Sequence, residues 1–396
     1  MSAQTNLDSI INQFSFINQN ASVIEYSENL LAFKTAILNL KLKKESTVNI
    51  FHIGDSHVQA GFYSEPIKYD FQSALGNAGR GIVFPYQAAG TNGPADYYFG
   101  SNVKWISKRN ATNKNSLPTG ITGHAIYNNS KSASLEFRQK DTIANKLIER
   151  ITIFHASTKD SNYVYLIKLS NYNNFVLRDE NESNEMISIF NLPIGTREFT
   201  LLNKENSDGI SSTIYGALLE SNDSGIIVNS IGVNGAEYKH YLKSKTFFQQ
   251  LNSLKPDLII LSLGTNEAYN ASMFEPTEFS NCLDSFFIIL KSSLPKTSII
   301  ITAAPAVQSK IKIPRSRHYR FHENKNIQIV NEILKLQAEK HQFGFWNFYV
   351  VMGGQNSMKK WANAGLTDSK MIHFSKRGYL MQGKLLSNAI LKAIND

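Results

Sequence analysis

Four separated stretches carry side chains and backbone able to do acyl chemistry together: Gly54-Asp55-Ser56-His57, Asn234-Gly235, Gly264-Thr265-Asn266-Glu267 and His373. Ser56 follows the apolar run Ile50, Phe51, Ile53 and precedes an apolar-faced helical stretch, so its hydroxyl falls at a strand's C-terminal edge. Ligands of open α/β sheets bind at that edge. Backbone N–H groups at such a turn can hold an oxyanion. A serine there also suits a helix N-cap. Gly235 lets a backbone N–H approach a substrate oxygen without a side chain in the way, or simply makes a turn. Asn266 has an NH2 that can donate to a developing oxyanion, or can close an Asx turn. His373 has the chemistry of a general base for Ser56, or of a structural histidine. Asp55 reads as the residue that holds the turn, by accepting backbone N–H bonds. His57 and Glu267 stand beside these groups, and each reads as a substrate contact or as packing.

In order along the chain, Ser, Gly, Asn and His each sit at a strand end or a helix start. The pattern resembles the SGNH (GDSL-like) hydrolase family through Gly54-Asp-Ser56, Gly235, Gly264-Thr-Asn266 and His373. The resemblance implies ester hydrolysis on Ser56. It also implies an oxyanion hole built from the Ser56 and Gly235 amides and the Asn266 side chain, with no metal or cofactor. Finer features are similar to bacterial peptidoglycan O-acetylesterases: Gly54-Asp-Ser-His57, Gly76-Asn-Ala-Gly-Arg-Gly-Ile-Val-Phe-Pro85, Gly-Thr-Asn-Glu267 and the ending His373-Phe-Ser…Gly-Tyr379. One position departs. The family places Asp three residues before the His, where this chain has Lys370. The nearest acid in sequence is Asp368, so either Asp368 reaches His373, another acceptor such as Glu267 orients the ring, or the site is weakened.

The elements that must position these groups follow from periodicity. Val48–Ile53, Ile226–Ile231, Leu258–Leu263, Ser298–Ala303 and Gly344–Val351 read as five buried strands. They alternate with helices over Ser27–Lys44, Glu275–Leu294, Glu323–His341 and Ser375–Ile394. This predicts a parallel five-stranded sheet covered on both faces; the resemblance implies the flavodoxin-like α/β/α form. From Tyr97 to Ser224 the pattern changes to short β-rich runs between Asn, Ser, Asp and Gly clusters. Such runs predict an inserted β-sandwich, and the related esterases carry a carbohydrate-binding-like module at that place. The expected division is 1–96 and 225–396 for the hydrolase fold, with 97–224 as the insertion. Residues 1–25 read as a loosely ordered lead-in.

Composition excludes several classes. Apolar residues make up 42% and charged residues 18% of 396, as in a globular chain. The single cysteine, Cys282, excludes an internal disulfide and a Cys-rich zinc site. A net charge of +9 without a long Lys/Arg block suggests no nucleic-acid partner and a weak preference for acidic surfaces or polymers. The basic stretch Lys310–Arg320 is a solvated loop or a cleft wall that attracts an acidic glycan. No apolar run reaches a membrane span. The polar start has no signal-peptide pattern, so the protein is either cytoplasmic or a trimmed mature form, and the expectation is the second, secreted or periplasmic. The partner implied is an acetylated glycan, and the oligomeric state is not readable. Two other functions share the pattern: a glycan-binding protein with weakened chemistry, and an O-acetyltransferase using the same acyl-enzyme.

Overall fold

Thr47–Gly54, the strand that carries the nucleophile turn, is buried along nearly its whole length and lies inside a sheet rather than at its edge. The computed structural model describes residues 7–112, 117–140, 146–157, 165–203, 212–269, 274–313 and 319–395. Among them, the strand is flanked by Gly225–Gly232 on one side and Leu258–Ser262 on the other, both parallel to it. Ser298–Thr302 and then Gly344–Trp346 extend the sheet, again parallel. Strand order therefore reverses direction around Thr47–Gly54, and Ser56 leaves the sheet at that switch point, the place where open α/β sheets bind ligands.

The sheet departs from the five parallel strands expected. It has six strands and is mixed, because Ile24–Glu25 adds an antiparallel edge beside Gly344–Trp346. Two residues are too few to show periodicity. The lead-in is also more ordered than expected: Leu7–Ile11 is a helix, and Leu7, Ile11, Ile17 and Ile24 are buried in the main core. The stretch Gly344–Val351 splits, with the strand ending at Trp346 and a short helix, Phe348–Val351, capped by Asn347.

Helices cover both faces, which explains why these strands read as continuous apolar runs. Leu31–Lys41 and Glu65–Leu75 meet through Phe33 and Phe71, and Glu65–Leu75 packs on Lys376–Asn395. A second group joins Lys245–Leu254, Pro276–Ser293 and Asn326–His341 through Phe248, Phe286, Phe287 and His341. Among the described residues no helix is long and apolar enough to cross a membrane.

Two antiparallel sheets form the β-rich part. One runs Ile187–Thr196, Ile148–His155, Ser212–Glu220, His124–Asn128, Ile106–Arg109. The other runs Tyr97–Ser101, Ser134–Gln139, Glu198–Asn203, Tyr165–Lys168. Phe99, Phe137, Phe199, Ile151, Phe190 and Leu219 come from both sheets and share one apolar core. The first sheet also recruits Gly79–Val83, which lies ahead of residue 97 and pairs with Ser212–Glu220. Phe175–Leu177 does not form a strand; only Val176 bridges to Ile167.

Candidate active site

The nucleophile turn is held from below. Gly54 ends its strand so close to its neighbours that a Cβ would meet Val58 Cγ2 at 2.5 Å and the Ser262 carbonyl at 2.6 Å. Only glycine fits there. Asp55 caps the short helix Ser56–Gln59 by accepting from His57 N–H at 2.9 Å. The Tyr241 hydroxyl donates to the Gly54 carbonyl at 2.8 Å. Behind the turn, His52 is fully buried and bonded at both nitrogens, to Ser64 Oγ at 2.8 Å and Ser262 Oγ at 2.9 Å. Burial holds its pKa down to about 3, so it is a neutral strut.

Ser56 Oγ lies 2.9 Å from His373 Nε2, although the two residues are far apart in sequence. The Asp368 carboxylate lies on the other side of the ring, with Oδ2 3.5 Å from His373 Nδ1. A closed turn brings it there. Met371 takes a left-handed φ of 54°, Met371 N–H donates to the Asp368 carbonyl, and Asp368 N–H donates to the His373 carbonyl. Asp368 Oδ1 accepts from the backbone N–H groups of Ile372 at 3.2 Å and His373 at 3.4 Å. The two extra residues relative to the resemblance are thus absorbed by the turn. Lys370 is exposed on its outside. The turn also accepts from Gln308 N–H at the Met371 carbonyl, beside the hairpin Gln308–Lys312/Tyr319–Glu323. The basic stretch read above contributes to that hairpin, and its residues 314–318 lie outside the described ones.

Gly235 has φ 81°, and a Cβ there would meet only Ala111 Cβ at an ordinary 3.9 Å, so the backbone conformation itself calls for glycine. Asn234 N–H donates to Gln59 Oε1 at 2.6 Å and Ala236 N–H to the Val233 carbonyl at 2.9 Å. The Gly235 N–H between them, like that of Ser56, has no acceptor among the described residues. Asn266 differs from expectation in one respect. Its NH2 is already spent on two acceptors, Asp55 Oδ2 at 3.1 Å and the Ala236 carbonyl at 2.9 Å. An oxyanion must compete with these for the amide.

Two residues read as substrate contacts or packing are buried. His57 is 4% exposed, with Nδ1 3.0 Å from the Tyr379 hydroxyl and its ring centroid 5.2 Å from that of His373. Burial, with His373 adding, holds its pKa down to about 3, so it backs the catalytic ring as a neutral wall. Glu267 is 7% exposed and accepts from Tyr238 N–H at 2.8 Å. It does not face His373 as an alternative acid. Sequence reasoning missed Gln59, which is 1% exposed and ties Asn234 to Asn92 and Thr91. Its place one helical turn after Ser56 was the available signal.

Residues 204–381 match the family model described as GDSL-like lipase/acylhydrolase. The match spans Gly235, Asn266, Asp368 and His373, and the Gly54-Asp-Ser56 turn lies ahead of it. Over residues 204–381 the chain carries the pattern of the GDSL-like lipase/acylhydrolase family. That match supports a carboxylic ester hydrolase. A solved structure titled a peptidoglycan O-acetylesterase in action shares its fold, with a TM-score of 0.75 over 92% of this chain and 96% of that one at 23% identity. A lipase/acylhydrolase from Enterococcus faecalis is 17% identical, with a TM-score of 0.30 over 42% of this chain and 76% of its own. An acetyl xylan esterase is 14% identical, with a TM-score of 0.32 over 42% and 80%. Among curated proteins none matches the hydrolase.

Burial gives the hydrolase a pH signature of stability. Glu267 is pushed up to about 8 by burial, with Glu237 and Asp55 adding. Asp55 is pushed up to about 7 by burial. A carboxyl raised on folding binds more protons when folded. Its contribution is full below the unfolded value near 4 and is lost as pH rises through the folded value. Stability is therefore expected to fall between pH 6 and pH 8. In Glu267→Gln that fall should shrink by about 2 kcal/mol, at about 1.4 kcal/mol per pH unit. Urea unfolding at pH 6 and pH 8 measures it, and an unchanged difference would show that Glu267 is ionised in the fold.

Proposed function

We propose that the protein is a serine esterase that removes O-acetyl groups from a glycan through an acyl-Ser56 intermediate. The observation that carries this is the 2.9 Å contact between Ser56 Oγ and His373 Nε2 at the switch point of the sheet. Ser56 Oγ attacks the acetyl carbonyl while His373 Nε2 takes its proton. The tetrahedral oxyanion is met by the Ser56 and Gly235 N–H groups, and it draws the Asn266 amide away from one of its two acceptors. Collapse expels the sugar oxygen, which leaves as an alcohol with the proton from His373. Water then gives a proton to His373 and attacks the acyl carbon. Acetate departs as Ser56 regains its proton. Asp368 holds the Nδ1 proton side of the ring and favours the imidazolium formed in each half-reaction. Nothing in this sequence of steps calls on a metal or cofactor.

The glycan and the acetyl group are the finer part of the reading. Support comes from the shared fold with the peptidoglycan O-acetylesterase and from the positive net charge. On this reading the protein works outside the cytoplasm, secreted or periplasmic, where such polymers lie. The weakened-site alternative rested on Lys370, which is exposed; against it stands Asp368, whose carboxylate lies 3.5 Å from His373 Nδ1. An acetyltransferase would share the first half-reaction and differ only in the acceptor. The test is acetate release from O-acetylated peptidoglycan and from acetylated xylan, together with labelling by a fluorophosphonate. Acetate release and a single label on the Ser56 peptide are expected. A protein that releases no acetate and takes no label is not this enzyme, and acetyl transfer to added sugar in excess of transfer to water would make it a transferase.

A further inference from the structure

After the short helix Ser56–Gln59 the chain runs Ala60-Gly61-Phe62 into Glu65–Leu75. Beside this run lies a cavity of about 370 Å³, walled by Pro94–Asp96 and by Lys376 at the start of the last helix. None of Ser56, Gly235, Asn266 or His373 lines it. Its volume falls in the range of small-ligand sites, about 300–1,000 Å³. Yet it adjoins the ester site at two points: Ala60 is four residues from Ser56, and Lys376 is three from His373.

The charges around the cavity do not balance. Arg80 is committed to Asp96 through two bonds, at 3.0 and 2.8 Å, and to the Ile82 carbonyl at 2.6 Å. That pair cancels. Lys68 and Lys376 then share one further lining carboxylate, Glu65, which both attract. The Lys68 ammonium bonds the Arg80 carbonyl at 3.1 Å, an acceptor without charge, and Asp96 and Glu65 attract it without a direct ion pair among the described residues. Burial, with Arg80 adding, holds Lys68 down to about 8. A cation so placed gains most from an anion brought to it. Lys376 Nζ sits at the rim, 5.2 Å from the centroid of the Phe62 ring. Phe62 and Tyr69 add aromatic rings to the lining.

We propose that this cavity binds a carboxylate-bearing sugar, with Lys68 at its floor and Lys376 at its rim meeting the carboxylate. Two point charges on an apolar wall suit a singly charged group on a ring. Glu65 on the same wall disfavours a dianionic phosphate. The proposal rests on the glycan reading above and narrows it: the polymer is acidic, and a charged residue flanks the acetylated one.

The test uses the full chain and three unacetylated probes at low salt: trigalacturonate, cellotriose and inorganic phosphate, each followed by calorimetry. Trigalacturonate is expected to bind at least tenfold more tightly than the other two. Lys376→Gln and Lys68→Gln should each weaken it about tenfold, since each removes one charge-assisted bond. Turnover of 4-nitrophenyl acetate should stay unchanged in both. Lys376 is exposed, so its variant decides the matter even if Lys68→Gln does not fold. Equal binding of trigalacturonate and cellotriose overturns the proposal. So does an unchanged affinity in Lys376→Gln, or phosphate binding as tightly as the uronide. Because binding is read without turnover, trigalacturonate bound by a protein that releases no acetate would sink the esterase reading alone.

Discussion

Ser56→Ala and His373→Ala each lower kcat on 4-nitrophenyl acetate by about 10⁵-fold, and the double variant loses no more than either alone. The 2.9 Å contact makes the two side chains one device. Without the imidazole, the hydroxyl keeps a proton it cannot shed near neutral pH. Without the hydroxyl, the imidazole has nothing to activate but water. Residual rate comes from whatever oxyanion contacts and binding remain. Neither side chain supports the core: His373 is 39% exposed, and Ser56 tops a turn that Asp55, Gly54 and Tyr241 hold by themselves. Both variants should therefore unfold at the wild-type urea midpoint. Losses that multiply in the double variant would mean that the two residues act at separate sites. A Ser56→Ala enzyme within tenfold of wild type would end the acyl-serine mechanism.

Much of the framework behind this prediction could be read before any coordinates. Buried parallel strands are apolar at every position, so runs such as Leu258–Leu261 announce themselves. A polar residue directly after such a run is a strand-end residue, and that logic reached Ser56, Asn266 and Gly235. Contacts that depend on two distant side chains were not legible. The Asp55–Asn266 bond, which occupies the expected oxyanion donor, joins residues 211 apart. The Gln59–Asn234 bond that shapes the Gly235 loop joins residues 175 apart. Ile106–Arg109, half-exposed and basic, carried no alternating pattern to betray a strand. His57 and Glu267 are polar types that sequence reasoning sends toward solvent or substrate. The fold buries them because Tyr379 and the Tyr238 amide supply partners from elsewhere.

Asp368→Asn is expected to lower kcat about 10³- to 10⁴-fold, and more than Asp368→Ala does. Asp368 Oδ1 accepts two backbone N–H groups, from Ile372 and His373. Those donors will hold the asparagine oxygen where Oδ1 now sits, so its NH2 takes the place of Oδ2, 3.5 Å from His373 Nδ1. A donor there makes Nδ1 the acceptor and moves the ring proton to Nε2. The imidazole then points an N–H at Ser56 Oγ, the wrong tautomer for a base. Alanine removes the carboxylate but imposes no tautomer, so water can serve Nδ1 and part of the rate survives. Lys370→Ala should be neutral within about twofold, because an exposed ammonium on the outside of the turn orients nothing. The ordering Asn below Ala is the diagnostic. A merely structural Asp368 would give the reverse, since asparagine keeps the turn's acceptor and alanine does not. If Asp368→Asn stays within tenfold of wild type while Lys370→Ala falls, the ring is oriented by something other than this carboxylate.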